Sequence, residues 1–374
     1  MEPIGFNKER TRKILEEHDI DVLIASTPVN VFYLTGLPTL HVAPNPILYV
    51  LYNQYPSLSL VRRDGEESLI TWITYRSVNK FSWVSDIHGI GSPKGAMVSV
   101  SDKIEEWDLS NSNIGYESLM PSYQSEYLKN KFPNAKFING DQAFLDMRLI
   151  KSEEEVKRIK KSTQISEKAI LNMIEASHEG ISDIELLQIA RKTIIDEGAE
   201  GWDHLTMSLG PSDPEAPGMG TTLKAGELNR FDIGTIWKGY VSDVSRELVI
   251  GQIPDGAEEI LNNLINVQEF CEQHIIPGLN IKELYDKANK FNKSLIKKGR
   301  AFLTGHSIGL ECEETHLFSP LKKLNRPFEE NMVFDIEIWQ NFKNQGMMGI
   351  EDCYRITNSG CERLSSLEKK IFVK

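Results

Sequence analysis

The sequence predicts two domains, an α/β domain over residues 1–140 and an α+β domain over residues 141–374. Three observations predict this. Short apolar runs alternate with helical patterns as far as Lys136-Phe-Ile-Asn, as strands joined by helices do. Near residue 140 the composition shifts to charged helices. Past residue 200 strand patterns return, most clearly in Arg230–Ile250, where apolar and polar residues alternate on both sides of Lys238-Gly239. A length of 374 residues suits two domains, and a hydrophobic fraction of 40% is enough for a substantial core.

In order, residues 7–19 predict a helix and Asp21-Val-Leu-Ile-Ala-Ser a buried strand. Asn30-Val-Phe-Tyr-Leu-Thr-Gly leads into a proline-rich loop, Leu37–Pro46. Strand signals follow at Ile47-Leu-Tyr-Val-Leu-Tyr, Ser57-Leu-Ser-Leu-Val and Ser68-Leu-Ile-Thr-Trp-Ile. His18, His41 and His88 are expected to be surface histidines, and no residue of this half carries a catalytic signal. Ser152 is the N-cap of a charged helix with Glu155 at the capping-box position, and Glu154 with Arg158 suits a solvated face. Ser182-Asp-Ile-Glu caps a second helix running to about Ile195. Leu205–Leu209 predicts a strand, and Gly210–Gly220 is a loop by its glycine and proline content. Residues 254–300 hold two helices separated at Pro277-Gly-Leu-Asn, with Asn280 as a cap. Strands return at Arg300–Thr304, Asn331–Trp339 and Met347–Thr357.

Charge and cysteine usage exclude several functions. A net charge of −12 argues against a nucleic-acid footprint. The four cysteines, Cys271, Cys312, Cys353 and Cys361, form no close ladder, so neither a disulfide framework nor a thiolate zinc site is expected, which fits a reducing cytoplasm. The N-terminus has no apolar core of a leader peptide. No run of about 18 apolar residues exists, so no membrane span is expected.

The chemistry begins in the hairpin. With Lys238 and Gly239 as the two loop residues, Asp232 lies opposite Ser245 and Asp243 opposite Gly234. Both aspartates then point to one face as diagonal neighbours, their Cβ atoms about 7–8 Å apart. Carboxylates so placed can share a pair of metal ions about 3.5–4 Å apart. Gly234 leaves room between them, and Ser245 is placed to donate to the Asp232 carboxylate.

Three later stretches supply partners. His306 lies between two glycines in Thr304-Gly-His-Ser-Ile-Gly, which let the backbone approach a ligand. Glu337 shares a strand face with Val333, Asp335 and Trp339, and Glu351 with Gly349 and Cys353. An acidic residue in an apolar strand is costly unless paired or metal-bound. Four carboxylates and one imidazole suit Mn²⁺, Fe²⁺ or Co²⁺, with Zn²⁺ also fitting.

These residues resemble the M24 peptidases of the pita-bread fold, in the branch of Xaa-Pro aminopeptidases and prolidases. Asp21-Val-Leu-Ile and Asn30–Gly36 are similar to that branch's creatinase-like N-terminal domain, and Arg148-Leu-Ile-Lys-Ser-Glu-Glu-Glu to its interdomain helix. The resemblance implies two divalent metal ions. Asp232 would hold the second, Asp243 and Glu351 would bridge, His306 would give the imidazole, and Glu337 would be both ligand and proton carrier. It further implies a homodimer in which the Leu37–Pro46 loop reaches toward the partner's active site, and hydrolysis of a peptide or amide C–N bond through a metal-bridged hydroxide. Binding proteins of this fold generally lack the ligands, whereas this chain keeps all five.

Three positions depart from the peptidase pattern. Glu215 and Glu313 stand where histidines are expected, and Gly349 where an arginine is expected. The added carboxylates and lost guanidinium predict a more negative pocket, favouring a cationic group. That points to the family's specialists, such as creatinase, ectoine hydrolase or the dimethylsulfoniopropionate lyase, as the alternative to a short-peptide substrate. His204 and His316 are the candidates to replace a missing imidazole, so the expected substrate contacts are Glu215, Glu313, His204 and His316.

Overall fold

The computed structural model describes residues 2–38, 56–73, 80–211, 218–296, 301–342 and 344–374. His41, Glu215, most of the Leu37–Pro46 loop and the strand signal at residues 47–52 lie outside the described residues. The chain divides into two compact units, Met1–Leu149 and Ile150–Lys374. The division thus falls at Leu149 rather than at residue 140, for reasons internal to the first unit. The helix Asp141–Leu149 buries Ala143, Phe144 and Met147. The Met147 carbonyl accepts from Arg10 Nη1 at 3.1 Å and from the Tyr33 hydroxyl at 2.7 Å. His18 also pairs with Asp146 at 2.9 Å.

In the first unit, β1 (Val22–Ala25), β2 (Leu58–Arg62), β3 (Glu67–Trp72), β4 (Ile87–Ile90), β5 (Asn113–Tyr116) and β6 (Lys136–Asn139) form one mixed sheet in the order β4-β3-β2-β1-β5-β6. β1 is antiparallel to β2 and parallel to β5, which places it at the centre, and all four of its residues are buried. The helix Pro28–Thr35 begins at Thr27, whose side chain caps it, and ends at Gly36 in the left-handed region, φ 71°.

The second unit is built on a ten-stranded sheet. Its strands are β7 (Gly201–Leu209), β8 (Leu228–Trp237), β9 (Tyr240–Val241), β10 (Val244–Val249), β11 (Ala301–Ser307), β12 (Thr315–Phe318), β13 (Val333–Phe342), β14 (Gly346–Ile356), β15 (Cys361–Arg363) and β16 (Ile371–Val373). The main path runs β12-β11-β13-β14-β10-β8-β7, antiparallel at every step. Residue alternation divides the faces. Leu205, Met207, Leu209, Phe231, Ile233, Val244 and Leu248 share one core with the helices Glu153–Ala176 and Asp183–Asp196. Each such side chain contributes roughly 1.5–3 kcal/mol by leaving water. Their neighbours in sequence, most of them polar or glycine, therefore face the other way.

Local signals position these elements. Ser152 and Ser182 each make a full capping box, with Glu155 and Glu185, and the Asn280 side chain caps Ile281–Leu295. Lys238 (φ 50°) and Gly239 (φ 83°) both take the left-handed conformation, as a two-residue turn matched to strand twist requires. The turn fixes the register: Trp237 pairs with Tyr240 and Asp232 with Ser245.

Candidate metal centre

Six strands bring one row of side chains into line across the polar face. Thr304 on β11 pairs with Glu337 on β13, Glu337 with Glu351 on β14, and Glu351 with Ser245 on β10. Ser245 pairs with Asp232 on β8, and Asp232 with Thr206 on β7. The adjacent row holds His306, Asp335 and Cys353 at one end and Gly234 with His204 at the other. Asp243 stands one residue before β10. All five expected ligands therefore meet on one face. Asp243, His306 and Glu351 bring ligand atoms within 4.8 Å of one another, as do Asp232, Glu337 and Glu351.

His306 is fixed by its far nitrogen. Nδ1 donates to the Cys312 carbonyl at 3.0 Å, so Nε2 faces Glu351 Oε1 at 3.4 Å and Asp243 Oδ2 at 4.0 Å. The flanking glycines serve packing rather than ligand approach. A Cβ at Gly305 would lie 2.6 Å from the Phe318 ring, and one at Gly309 would lie 2.7 Å from the Glu314 carboxylate. Glu314 is held in turn by Lys151 at 2.7 Å, an ion pair 1% exposed on each side.

Arg230 went unnoticed in the sequence and stands inside the cluster. Its side chain is 1% exposed, and Nη2 lies 2.7 Å from Glu337 Oε1, 2.9 Å from Asp232 Oδ2 and 3.5 Å from Glu351 Oε2. It also donates to Ser245 Oγ at 2.8 Å, so the contact found for Ser245 is with Arg230 rather than the expected one with Asp232. The period-2 pattern did hold a signal, because Arg230 must share the face of Asp232 and Gly234. Gly349 makes the room: a Cβ there would sit 3.1 Å from Arg230 Nε and 2.9 Å from the Trp339 Cβ. A guanidinium therefore stands beside Gly349 although position 349 itself carries none.

His204 fills the space that Gly234 leaves. A Cβ at Gly234 would come 2.4 Å from its ring. Nε2 lies 3.2 Å from Asp243 Oδ1 and 3.4 Å from Asp232 Oδ1, while Nδ1 faces Asp203 at 3.1 Å. Cys312, also unforeseen, donates Sγ–H to Asp243 Oδ2 at 3.0 Å. Neither His316 nor Glu313 makes such contacts: they pair with each other at 3.4 Å, 52% and 57% exposed.

Charge crowding marks the site. Burial pushes Glu351 well above the usual carboxyl range, and the Asp243 and Glu337 charges push it further. Burial also raises Glu337, although Arg230 pulls the other way. For Asp243 burial acts upward, but His204 outweighs it and holds the carboxyl below its ordinary range. Burial and then Asp243 raise Asp335 well above the ordinary carboxyl range. Burial opposes the charge of His204, yet Asp243 and Asp203 raise it well above an ordinary imidazole.

The donors fit a divalent ion between Asp243, His306 and Glu351, where oxygen and imidazole converge and His306 already presents its free-standing nitrogen. The Asp232, Glu337 and Glu351 group has suitable donors but already surrounds a guanidinium.

Comparison with known proteins finds matches along nearly the whole chain. The model of metallopeptidase family M24 matches residues 157–358, and that of the creatinase/prolidase N-terminal domain matches residues 8–150. The Xaa-Pro dipeptidase of Pyrococcus horikoshii is 28% identical over 386 residues, covering 97% of this chain and 98% of that protein. The prolidase structure from the same organism is similar at a TM-score of 0.79 and 23% identity, over 97% of this chain and 99% of that one. The X-Pro aminopeptidase of Thermotoga maritima gives a TM-score of 0.81 at 22% identity, over 97% and 100%. At these identities the structural likeness is one of fold.

Proposed function

We propose, on the premise that this chain belongs to metallopeptidase family M24, that it is a metal-dependent hydrolase cleaving the bond to the proline nitrogen in short Xaa-Pro peptides. The observation that carries this reading is the convergence of Asp232, Asp243, His306, Glu337 and Glu351 on one sheet face. The full-length alignment with a protein named as an Xaa-Pro dipeptidase supports the substrate class. The Arg230 guanidinium, 2.7 Å from Glu337, adds positive charge inside the cluster and so weighs against a cationic substrate.

Asp243, His306 and Glu351 are the residues to hold a divalent ion, with Asp232 and Glu337 beside them; such an ion supplies positive charge that acidifies water and polarises a carbonyl. The protein's own groups do the rest. Glu337 is the most exposed of the four carboxylates, 17% against 9%, 8% and 3% for Asp232, Asp243 and Glu351. It is placed to take a proton from the attacking water and return it to the leaving nitrogen. Thr304 Oγ1 donates to Glu337 Oε2 at 3.1 Å and fixes that carboxylate's orientation. His204, 22% exposed and held by Asp203, is the imidazole positioned to donate to the substrate carbonyl.

The test is a panel. Metal-stripped protein, reconstituted separately with Mn²⁺, Co²⁺, Fe²⁺ and Zn²⁺, is offered Xaa-Pro dipeptides and tripeptides alongside creatine-like and betaine-like compounds. Proline release that depends on the ion is the expected result. Turnover of a cationic small molecule with no proline release rejects the peptidase reading in favour of a specialist. Sedimentation of the same protein is expected to show a homodimer.

A further inference from the structure

We propose that Arg230 takes one of the two cation places in this cluster, so that each chain binds a single divalent ion, held by Asp243, His306 and Glu351. The inference rests on the hydrolase reading and sharpens it. Among the described residues four groups of three bring their ligand atoms within 4.8 Å, and two of them contain Glu351: Asp232, Glu337 and Glu351, and Asp243, His306 and Glu351. Nη2 of Arg230 lies 2.7–3.5 Å from a carboxylate oxygen of each member of the first group. In that place a single nitrogen stands where a cation would stand.

The two groups differ in what a cation must displace. In the second group the positive partner is an imidazole, which loses its proton and becomes a ligand. In the first it is a guanidinium, which keeps its charge and has no lone pair to offer. A divalent ion entering the first group must therefore expel a permanent charge or accept its repulsion at close range. Expulsion is opposed by the way the side chain is housed. It is 1% exposed, Nη2 also donates to Ser245, and Glu247 is its cross-strand partner on β10. The bare backbone of Gly349 gives the space its Nε occupies.

The closing experiment counts ions. The metal-stripped full chain is titrated with Mn²⁺ by calorimetry, and the loaded protein is examined by electron paramagnetic resonance. The expected wild-type result is one equivalent with the six-line spectrum of an isolated Mn²⁺. Arg230→Met is expected to take two equivalents and show a spin-coupled pair, Arg230→Lys to stay at one, and Asp243→Asn to lose the remaining ion. Two equivalents in the wild type, or Arg230→Met remaining at one while circular dichroism shows it folded, overturns the inference and leaves the hydrolase reading standing. A wild type that binds no Mn²⁺ overturns both. Should Arg230→Met fail to fold, the wild-type count and spectrum decide alone.

Discussion

Glu117 in the first unit and the four carboxylates in the second, three of them buried and Glu337 partly so, are satisfied in opposite ways. Glu117 is 2% exposed and receives Ser26 Oγ at 2.9 Å, the Thr27 amide at 2.7 Å, Thr27 Oγ1 at 2.5 Å and Asn30 Nδ2 at 2.6 Å, with the Ser26 amide as a further donor. One carboxylate thus closes the start of the helix Pro28–Thr35 with neutral donors to spare. In the second unit Asp232, Asp243, Glu337 and Glu351 share Arg230, His204 and His306. The difference separates a structural acid from a functional one. A buried acid saturated by neutral donors is a finished piece of architecture, whereas acids that crowd and raise one another hold a place for positive charge.

The most forceful way to break this comparison is Glu337→Gln. Turnover is expected to fall by about 10²–10⁴-fold, the range for loss of a proton-transfer group, with a melting temperature unchanged or higher because one of four like charges has gone. Intact turnover in Xaa-Pro hydrolysis with a lowered melting point would reverse the assignment. Glu117→Ala should do the opposite. It strands several buried donors at about 1–3 kcal/mol each, so urea unfolding is expected to show at least ~3 kcal/mol lost, with Mn²⁺ affinity unchanged.

Two smaller effects sharpen the contrast. Gly234→Ala should cost about 1–3 kcal/mol by overpacking, since its Cβ would meet both the His204 ring and the Ser242 carbonyl; NMR titration of His204 should show a more ordinary imidazole. Glu247 supplies the pH dependence. Burial raises its carboxyl from 4.5 to about 8, against the Gly349 amide and Arg230, which pull it down. Between those values the folded state keeps a proton that the unfolded chain releases. Stability contributed by this group is therefore lost as pH rises through the window, by at most about 1.4 kcal/mol per pH unit. Denaturation midpoints from pH 5 to 8 should decline for the wild type and decline less steeply for Glu247→Gln, the other raised carboxyls keeping part of the slope.

What was legible in the sequence was what short-range chemistry decides. A two-residue turn sets its own register, so the pairing of Asp232 with Ser245 and the common face of both aspartates followed from Lys238-Gly239 alone. The caps at Ser152, Ser182 and Asn280 followed from local side-chain to backbone bonds. What escaped depended on strands far apart in the chain. His204 reaches the site because β7 pairs with β8, and no local pattern says which residue will face Gly234. Arg230 was visible as a cation on the right face, but its partners Glu337 and Glu351 come from more than 100 residues away. Glycine misled in a consistent manner. In the sequence Gly234, Gly305, Gly309 and Gly349 suggest space for a ligand, backbone freedom or a lost side chain, and each instead accommodates a named neighbour.

The polar row from Thr304 to Thr206 crosses six strands, each stitched to the next by main-chain pairing. Its spacing is consequently inherited from the weave, not from the connections at the rim. An engineer seeking new specificities can randomise the edges, beginning with Glu313 and His316, and leave the warp and weft that aligns the chemistry untouched.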